Sequence, residues 1–326
     1  MMQAYQWQAA QWQSLKQRVD NDNLAHAMLF AGAQGIGKKH FAQCFVHYLF
    51  CKNKTDEQAC GECDACHLLN VDNHPDYKYI APAEGKQIIA IDQIRELIDY
   101  LNLTPHSAIK KVAVINHAET LNLYAANSLL KTLEEPPESA LLILLTHNPE
   151  KLLPTIRSRC QKLLFPLPEA EQATAWLGLQ LPNENNLLGL LALANNAPLK
   201  ALDYAQHNVL QQRNDLFQTI QQMFDGKENP VSLAASLVKQ DFNLMLACMN
   251  SWIVDMIRLK VSDQPPKLAN PDIKQKLVAL AEKAKLEQLL DYQKQLLTIE
   301  EWKKSNINAQ MIIEDMLIRW SQICHR

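Results

Sequence analysis

Gly32, Gly35 and Gly37, followed at once by Lys38 and Lys39, are the residues of this 326-residue chain whose spacing most directly implies chemistry. The order Gly32-x-x-x-x-Gly37-Lys38 suits a phosphate cradle. Its glycines let backbone N–H groups turn inward, and the N-terminus of a following helix adds partial positive charge. The flanks agree with that reading. Ala27–Ala31 is an apolar run of strand length, and Phe41, Cys44, Phe45 and Tyr48 then recur at helical spacing. A hydrolytic loop continues with Ser or Thr, whose hydroxyl ligates Mg²⁺. Here the position is Lys39, and an ammonium has no lone pair to offer a metal. The bland alternative is a glycine-rich turn that holds no ligand.

Hydrolysis needs two further groups at the end of a later strand: an Asp on Mg²⁺ and an acid that readies water. The β-branched run Val112–Ile115 is the candidate strand, and Asn116 and His117 follow it. An amide is a poor Mg²⁺ ligand and does not offset the charge of the metal. Glu119 lies two positions beyond the place of the acid, and His117 reads as a hydrogen-bonded structural residue. Hydroxyl, carboxylate and base are thus missing together. The expectation is a retained shape without ATP hydrolysis, with neither ATP nor Mg²⁺ in the chain's own site. Phosphate binding by Lys38 and Lys39 stays open.

A second constellation follows the loop helix. Cys51, Cys60, Cys63 and Cys66 have the pattern C-x8-C-x2-C-x2-C. Four soft thiolates at that spacing suit tetrahedral Zn²⁺, and a closed four-sulfur site leaves no open position for catalysis. The expected role is a structural staple. Cys44, Cys160, Cys248 and Cys324 are dispersed and read as buried thiols.

The elements that must position these groups follow from periodicity. Trp7, Trp12, Leu15 and Val19 outline an amphipathic helix over 5–19. Tyr77–Ile80, Ile88–Ile91, Val112–Ile115, Leu141–Leu145 and Leu163–Phe165 read as extended segments. Between them lie a helix with Asp92 as its N-cap, another bearing Leu123, Ala126, Leu129, Leu130 and Leu133 and stopped by Pro136-Pro137, and a short helix over 149–156 before Arg157. Alternating buried strands and helices predict an α/β domain with a mostly parallel sheet. After Phe165 the strand signal ends, and an all-α remainder is expected. Its Met and Trp residues, such as Met245, Met249, Trp252 and Met256, read as core packing. The net charge of −3 argues against a general nucleic-acid binder. The start of the chain lacks a signal-peptide layout, and Leu187–Ala194, the longest apolar stretch, is too short to span a bilayer, so a cytoplasmic protein is expected.

GAQGIGKK at 32–39, the CxxCxxC cluster, HPD at 74–76, ANSLLKTLEEPP at 126–137 and RSRC at 157–160 occur in that order. Together they resemble the delta-prime family of the bacterial DNA polymerase III clamp loader. The motifs cover about the first half of the chain; the helical half is similar in length and character only. The resemblance implies an AAA+ P-loop-like domain at 1–166 with a zinc module at 51–66, a helical lid domain at 167–207, and a helical collar at 208–326. It implies assembly with the gamma or tau ATPase subunits and the delta subunit, in a ring that loads the sliding clamp on primed DNA as part of a nucleotidyltransferase holoenzyme. It gives Arg159 the role of an arginine finger acting on a neighbour's nucleotide, with Arg157 as the weaker candidate, and it makes Gly32, Gly35, Gly37, Lys38 and Lys39 a degenerate nucleotide site. It also suggests an interface role for Lys131, Glu134 and Glu135, and a vestigial sensor in Thr146. The gamma or tau ATPase subunit is the nearest rival, but it should keep the Ser/Thr and the Asp-Glu pair, and an Arg where this chain has Leu199. Two readings outside the family are a free-standing ATPase with unusual Mg²⁺ ligation and a zinc-containing DNA-binding module.

Overall fold

The structure, a computed structural model, describes residues 2–55, 58–107, 110–224, 228–262, 268–302 and 308–324, with backbone alone at 224, 300–302 and 324. The expectation for the Cys324 thiol therefore lies outside the described residues. The chain forms two compact units, Met1–Gln172 and Ala173–Arg326.

The first unit is a five-stranded parallel sheet in the order β2-β3-β4-β1-β5, with β1 at Ala27–Gly32, β2 at Tyr77–Ile80, β3 at Lys111–Asn116, β4 at Ala140–Thr146 and β5 at Gln161–Phe165. Burial explains the order. All seven residues of β4 are buried and five of six in β1 and β3, so these apolar runs sit in the middle; β5 alternates exposed and covered residues, as an edge allows. On one face Leu29, Ala113, Ile115, Leu142 and Leu144 pack with Leu97 of α4 (Ile91–Leu101) and with Ala125, Leu129 and Leu133 of α5 (Leu123–Glu134). On the other, Phe30 and Phe165 meet Phe41 of α2 (Lys38–Phe50), and Trp12 of α1 (Ala9–Asp20) sets its ring edge to face against Phe41 and Tyr48.

Three expectations need correction. Ile88–Ile91 is not a strand: Ile89 makes one isolated bridge to Leu121, and α4 already begins at Ile91. The cap of α4 is Ala90, whose N–H donates to the Gln93 side chain, and Asp92 lies inside the first turn. The segment from Pro149 is a 3₁₀ turn, Pro149–Lys151, and the helix proper, α6 (Pro154–Arg159), starts at a proline, which fits a first helical position. Arg157 and Arg159 are therefore on the helix rather than after it. The small helix α3 (Asp64–Asn70) follows the third cysteine of the cluster.

HPD marks a buried ion pair. Asp76 and Lys111 are 0% and 2% exposed and 3.0 Å apart. Asp76 also accepts from the backbone N–H groups of His106 and Ser107, while Lys111 donates to the Pro75 carbonyl and lies 4.6 Å from the Tyr100 ring. Lys111, which the sequence places just ahead of a strand, is instead its first residue.

The second unit is helical: α7 (Ala170–Gln180, beginning in the first unit), α8 (Leu187–Leu193), α9 (Pro198–Gln206), α10 (Val209–Phe224), α11 (Pro230–Leu237), α12 (Phe242–Val261), α13 (Lys274–Lys283), α14 (Leu286–Trp302) and α15 (Ala309–Cys324). Met245, Met249, Trp252, Met256, Met316 and Trp320 form its core. Arg213 is buried against Asn270 and Asp272, and Asp255 accepts both the Asn270 N–H and the Asn270 amide. The chain thus has an α/β unit followed by an all-α unit. Among the described residues no helix is long and apolar enough to cross a membrane.

Replacing Lys111 by Met should cost about 3–5 kcal/mol of stability, because it strands a carboxylate that has no route to water. Burial alone would raise the Asp76 carboxyl, but the Ser107, His106 and Lys111 donors outweigh it and hold it below its ordinary value. The stability it supplies is whole above the unfolded pKa of about 3.9 and is lost as pH falls through the lower folded value. Urea titrations from pH 7 down to about pH 1 check both statements; a Lys111→Met loss under about 1 kcal/mol contradicts the pairing argument.

Candidate functional site

The glycine loop spans the end of β1 and the start of α2. At Gly32 a Cβ would collide with the Phe165 carbonyl of β5, and at Gly37, where φ is +92°, it would lie 2.7 Å from the Tyr5 ring. Gly35 has φ of +80°. Lys38 does not reach out of the loop. Its ammonium donates to the Gly32 and Ala33 carbonyls, both at 2.7 Å, and burial brings its pKa down to about 8 against the opposing charge of Glu119. Lys39 points elsewhere, with its Nζ 5.0 Å from the Tyr79 ring centroid on β2. The two lysines are adjacent in sequence and separate in use.

The chain's own N-terminal segment closes over this loop. Trp7 Nε1 and Gln8 Nε2 both donate to the Ile36 carbonyl, at 3.0 and 2.9 Å, and Tyr5 stacks on Trp7 with centroids 4.7 Å apart. The expected helix over 5–19 begins only at Ala9, after a 3₁₀ turn at Gln6–Gln8, and this turn is what aims Gln8 at the loop. Nothing in the sequence marks Gln8, which is 1% exposed, as a buried group.

Parallel pairing brings the ends of β3 and β4 abreast, with Asn116 opposite Leu145. His117 adopts left-handed backbone, φ +57°, and turns the chain into a 3₁₀ turn carrying Glu119. Glu119 does not face away. It is buried, with Oε1 2.6 Å from His147 Nδ1 and 3.4 Å from His117 Nδ1. Burial would raise its carboxyl, but His147 and the Thr146 side chain beside it more than offset that and lower it to about 2. Thr146, buried at the end of β4, accepts from the Asn148 N–H. His147 was not singled out in the sequence; only the register of β3 on β4 reveals it.

The four cysteines converge as their spacing predicts. Their sulfurs lie within 4.8 Å of one another, with Cys51 and Cys60 at 3.5 Å and Cys51 and Cys63 at 4.0 Å. A tetrahedral ion with bonds near 2.3 Å sets its sulfurs about 3.8 Å apart, so one Zn²⁺ fits. Backbone N–H groups of Cys60, Glu62 and Cys63 point at sulfur atoms, which favours thiolates. The cluster sits at the end of α2 and the start of α3, away from the loop lysines in sequence.

Arg159 and LLKTLEEPP are joined. Arg159 Nη2 lies 2.6 Å from Glu134 Oε1, and Nη1 donates to the Thr155 carbonyl. The guanidinium is 34% exposed and its carboxylate partner 49%. Glu134 thus reaches from α5 across to α6. Arg157 pairs with Glu150 at 2.6 Å.

A glycine loop between the first strand and helix of a parallel sheet, followed by Lys39 in the loop helix and with Asn116 ending β3, defines a P-loop-like α/β protein. Family models described as DNA polymerase III, delta subunit, and DNA polymerase III, delta subunit, C terminal, match residues 7–169 and 207–322. The chain belongs to the delta-prime family of DNA polymerase III subunits. DNA polymerase III subunit delta' of Pseudomonas aeruginosa is 33% identical over 327 residues, covering 99% of both chains. Its counterpart in Escherichia coli K12 is 29% identical over 336 residues, 98% of this chain and 95% of that one. DNA polymerase III subunit tau of Bacillus subtilis is 35% identical, but over 152 residues, which are 47% of this chain and 26% of that one.

Gly37→Ala should destabilise the protein by about 1–2 kcal/mol, from left-handed strain alone, and should loosen Tyr5–Gln8 from the loop. Thermal melting and hydrogen exchange at the Trp7 and Gln8 amides read the two effects; unchanged exchange would mean that the segment is not held through Gly37.

Proposed function

We infer that this chain is the non-hydrolysing subunit of a DNA polymerase III clamp loader: a rigid member of the ring that lends Arg159 to nucleotide held by a neighbouring gamma or tau subunit. The observation that carries this reading is the state of Lys38. Its ammonium is satisfied by the loop's own Gly32 and Ala33 carbonyls, in a site whose hydroxyl and carboxylate positions are Lys39 and Asn116. A catalytic loop needs that charge directed at phosphate, and Mg²⁺ needs oxygen ligands. The Tyr5–Gln8 segment over Ile36 and Gly37 adds to the case. In this reading 167–207 is the lid, 208–326 the collar that binds delta and the ATPase subunits, and the assembled ring meets the sliding clamp and primed DNA.

The arginine's surroundings suit a finger given in trans. An ion pair this exposed is worth only about 0.2–1 kcal/mol, so Arg159 exchanges Glu134 for a phosphate at little cost. A guanidinium neutralises charge that grows on the transferred phosphoryl group, and such a finger contributes about 10³–10⁵ in rate. Glu134 keeps the side chain extended until the partner arrives.

The four cysteines are assigned one structural Zn²⁺. The fit of their sulfurs to a tetrahedron supports this, and the metal would tie the polar insert after α2 to the start of α3.

Arg159→Ala should leave assembly with the ATPase and delta subunits intact and lower the DNA-stimulated ATPase of the reconstituted complex about 10³-fold; unchanged turnover removes the finger role. The isolated chain should release no phosphate from Mg-ATP, and turnover abolished by Lys38→Ala would reverse the whole reading. Metal analysis of purified protein should find about one Zn per chain at the cysteines, lost in Cys63→Ser, and a metal-free protein that stays folded argues against the staple.

A further inference from the structure

The group at the ends of β3 and β4 offers more than a hydrogen bond. His117, Glu119 and His147 each present one ligand atom, and these atoms lie within 4.8 Å of one another. The carboxylate is the buried member, at 3% side-chain exposure, while the two rings are 39% and 34% exposed and so leave an approach from solvent. Among the described residues, Glu119 Oε2 is buried without a geometrically formed hydrogen bond, although the Thr146 side chain lies beside the carboxylate. Such an oxygen is an exception in folded proteins and points to a missing partner. Lys38, whose charge is felt by Glu119, donates instead to the Gly32 and Ala33 carbonyls.

We propose that His117, Glu119 and His147 form a second metal site, for a borderline divalent cation such as Zn²⁺ or Co²⁺, in place of the Mg²⁺ site of a hydrolytic relative. Two imidazoles and one carboxylate suit such ions, whereas Mg²⁺ demands an octahedron of oxygens. Ligand atoms about 2.1 Å from a tetrahedral ion are about 3.4 Å apart. The His117 Nδ1 to Oε1 distance already has that value, and the 2.6 Å between His147 Nδ1 and Oε1 opens by less than an ångström. At that shorter distance a proton lies between nitrogen and oxygen. The metal takes its place, and the ring carries its single hydrogen on Nε2. Three protein ligands leave a fourth position for water.

The register supplies the geometry. Asn116 opposite Leu145 sets the residues after both strands side by side, and the left-handed turn at His117 folds its ring back toward the strand ends. The proposal concerns a site separate from the cysteine cluster and does not require the clamp-loader reading, so the two fail independently.

The test uses the full chain with its cysteines saturated by Zn²⁺, dialysed against further Zn²⁺ and assayed by elemental analysis. A second equivalent should be retained by the wild type and by Arg159→Ala, and lost from both His117→Gln and His147→Gln, which change half-exposed rings. In parallel, long-range ¹H–¹⁵N spectra of the wild type should show two imidazoles settling as Nε2–H tautomers as the second equivalent is added. Uptake of no second equivalent overturns the site. So does a second equivalent that both variants retain, or one that enters without changing two imidazoles.

Discussion

Parallel register is the constraint on which the rest depends. Ala31 pairs with Thr146 and Asn116 with Leu145, so the ends of β1, β4 and β3 open at one edge of the sheet. A crevice beyond the carboxyl ends of parallel strands is where ligands enter such folds. Here the glycine loop follows β1, the His147 turn follows β4 and the His117–Glu119 turn follows β3. A slip of one residue would turn every side chain of a strand to the opposite face, and in the alternating strand β5 it would carry the exposed Lys162 to the covered side.

Within that edge, charge is managed by local partners. Lys38 is paired with backbone oxygens, Glu119 with imidazoles, and Lys111 with Asp76. Buried charge is tolerated only when paired in this way. The arrangement also explains why neighbouring lysines differ. Lys38 begins α2 and folds back on the loop, while Lys39 is one residue, about 100° of helix, further round and meets Tyr79. A hydroxyl cannot be recovered by rotating a side chain, so position 39 offers no side-chain oxygen to a metal.

A more exposed charge pair involves α6. Arg159 and Glu134 join two motifs that lie 25 positions apart in the chain by a contact near solvent. The Asp76–Lys111 pair is sealed from solvent, whereas the Arg159–Glu134 pair is accessible to it. Their difference in burial, not in chemistry, sets the two pairs apart.

Much of this was legible from residue order. Apolar runs of strand length, helical periodicity, the glycine spacing and the C-x8-C-x2-C-x2-C pattern are local signals, because strand, turn and chelate geometry repeat every few residues. Local signals were weakest at boundaries: Ile88–Ile91 has strand composition but lies beside Leu121 rather than in the sheet, and Pro154 starts a helix where Pro149 makes only a turn. The sequence alone determined the fold class and the convergence of four thiols. Only the tertiary structure decided that Glu119 faces His147, that Gln8 reaches Ile36 and that Glu134 binds Arg159. Those partners are 28, 28 and 25 residues apart, and no local period carries the register that joins them.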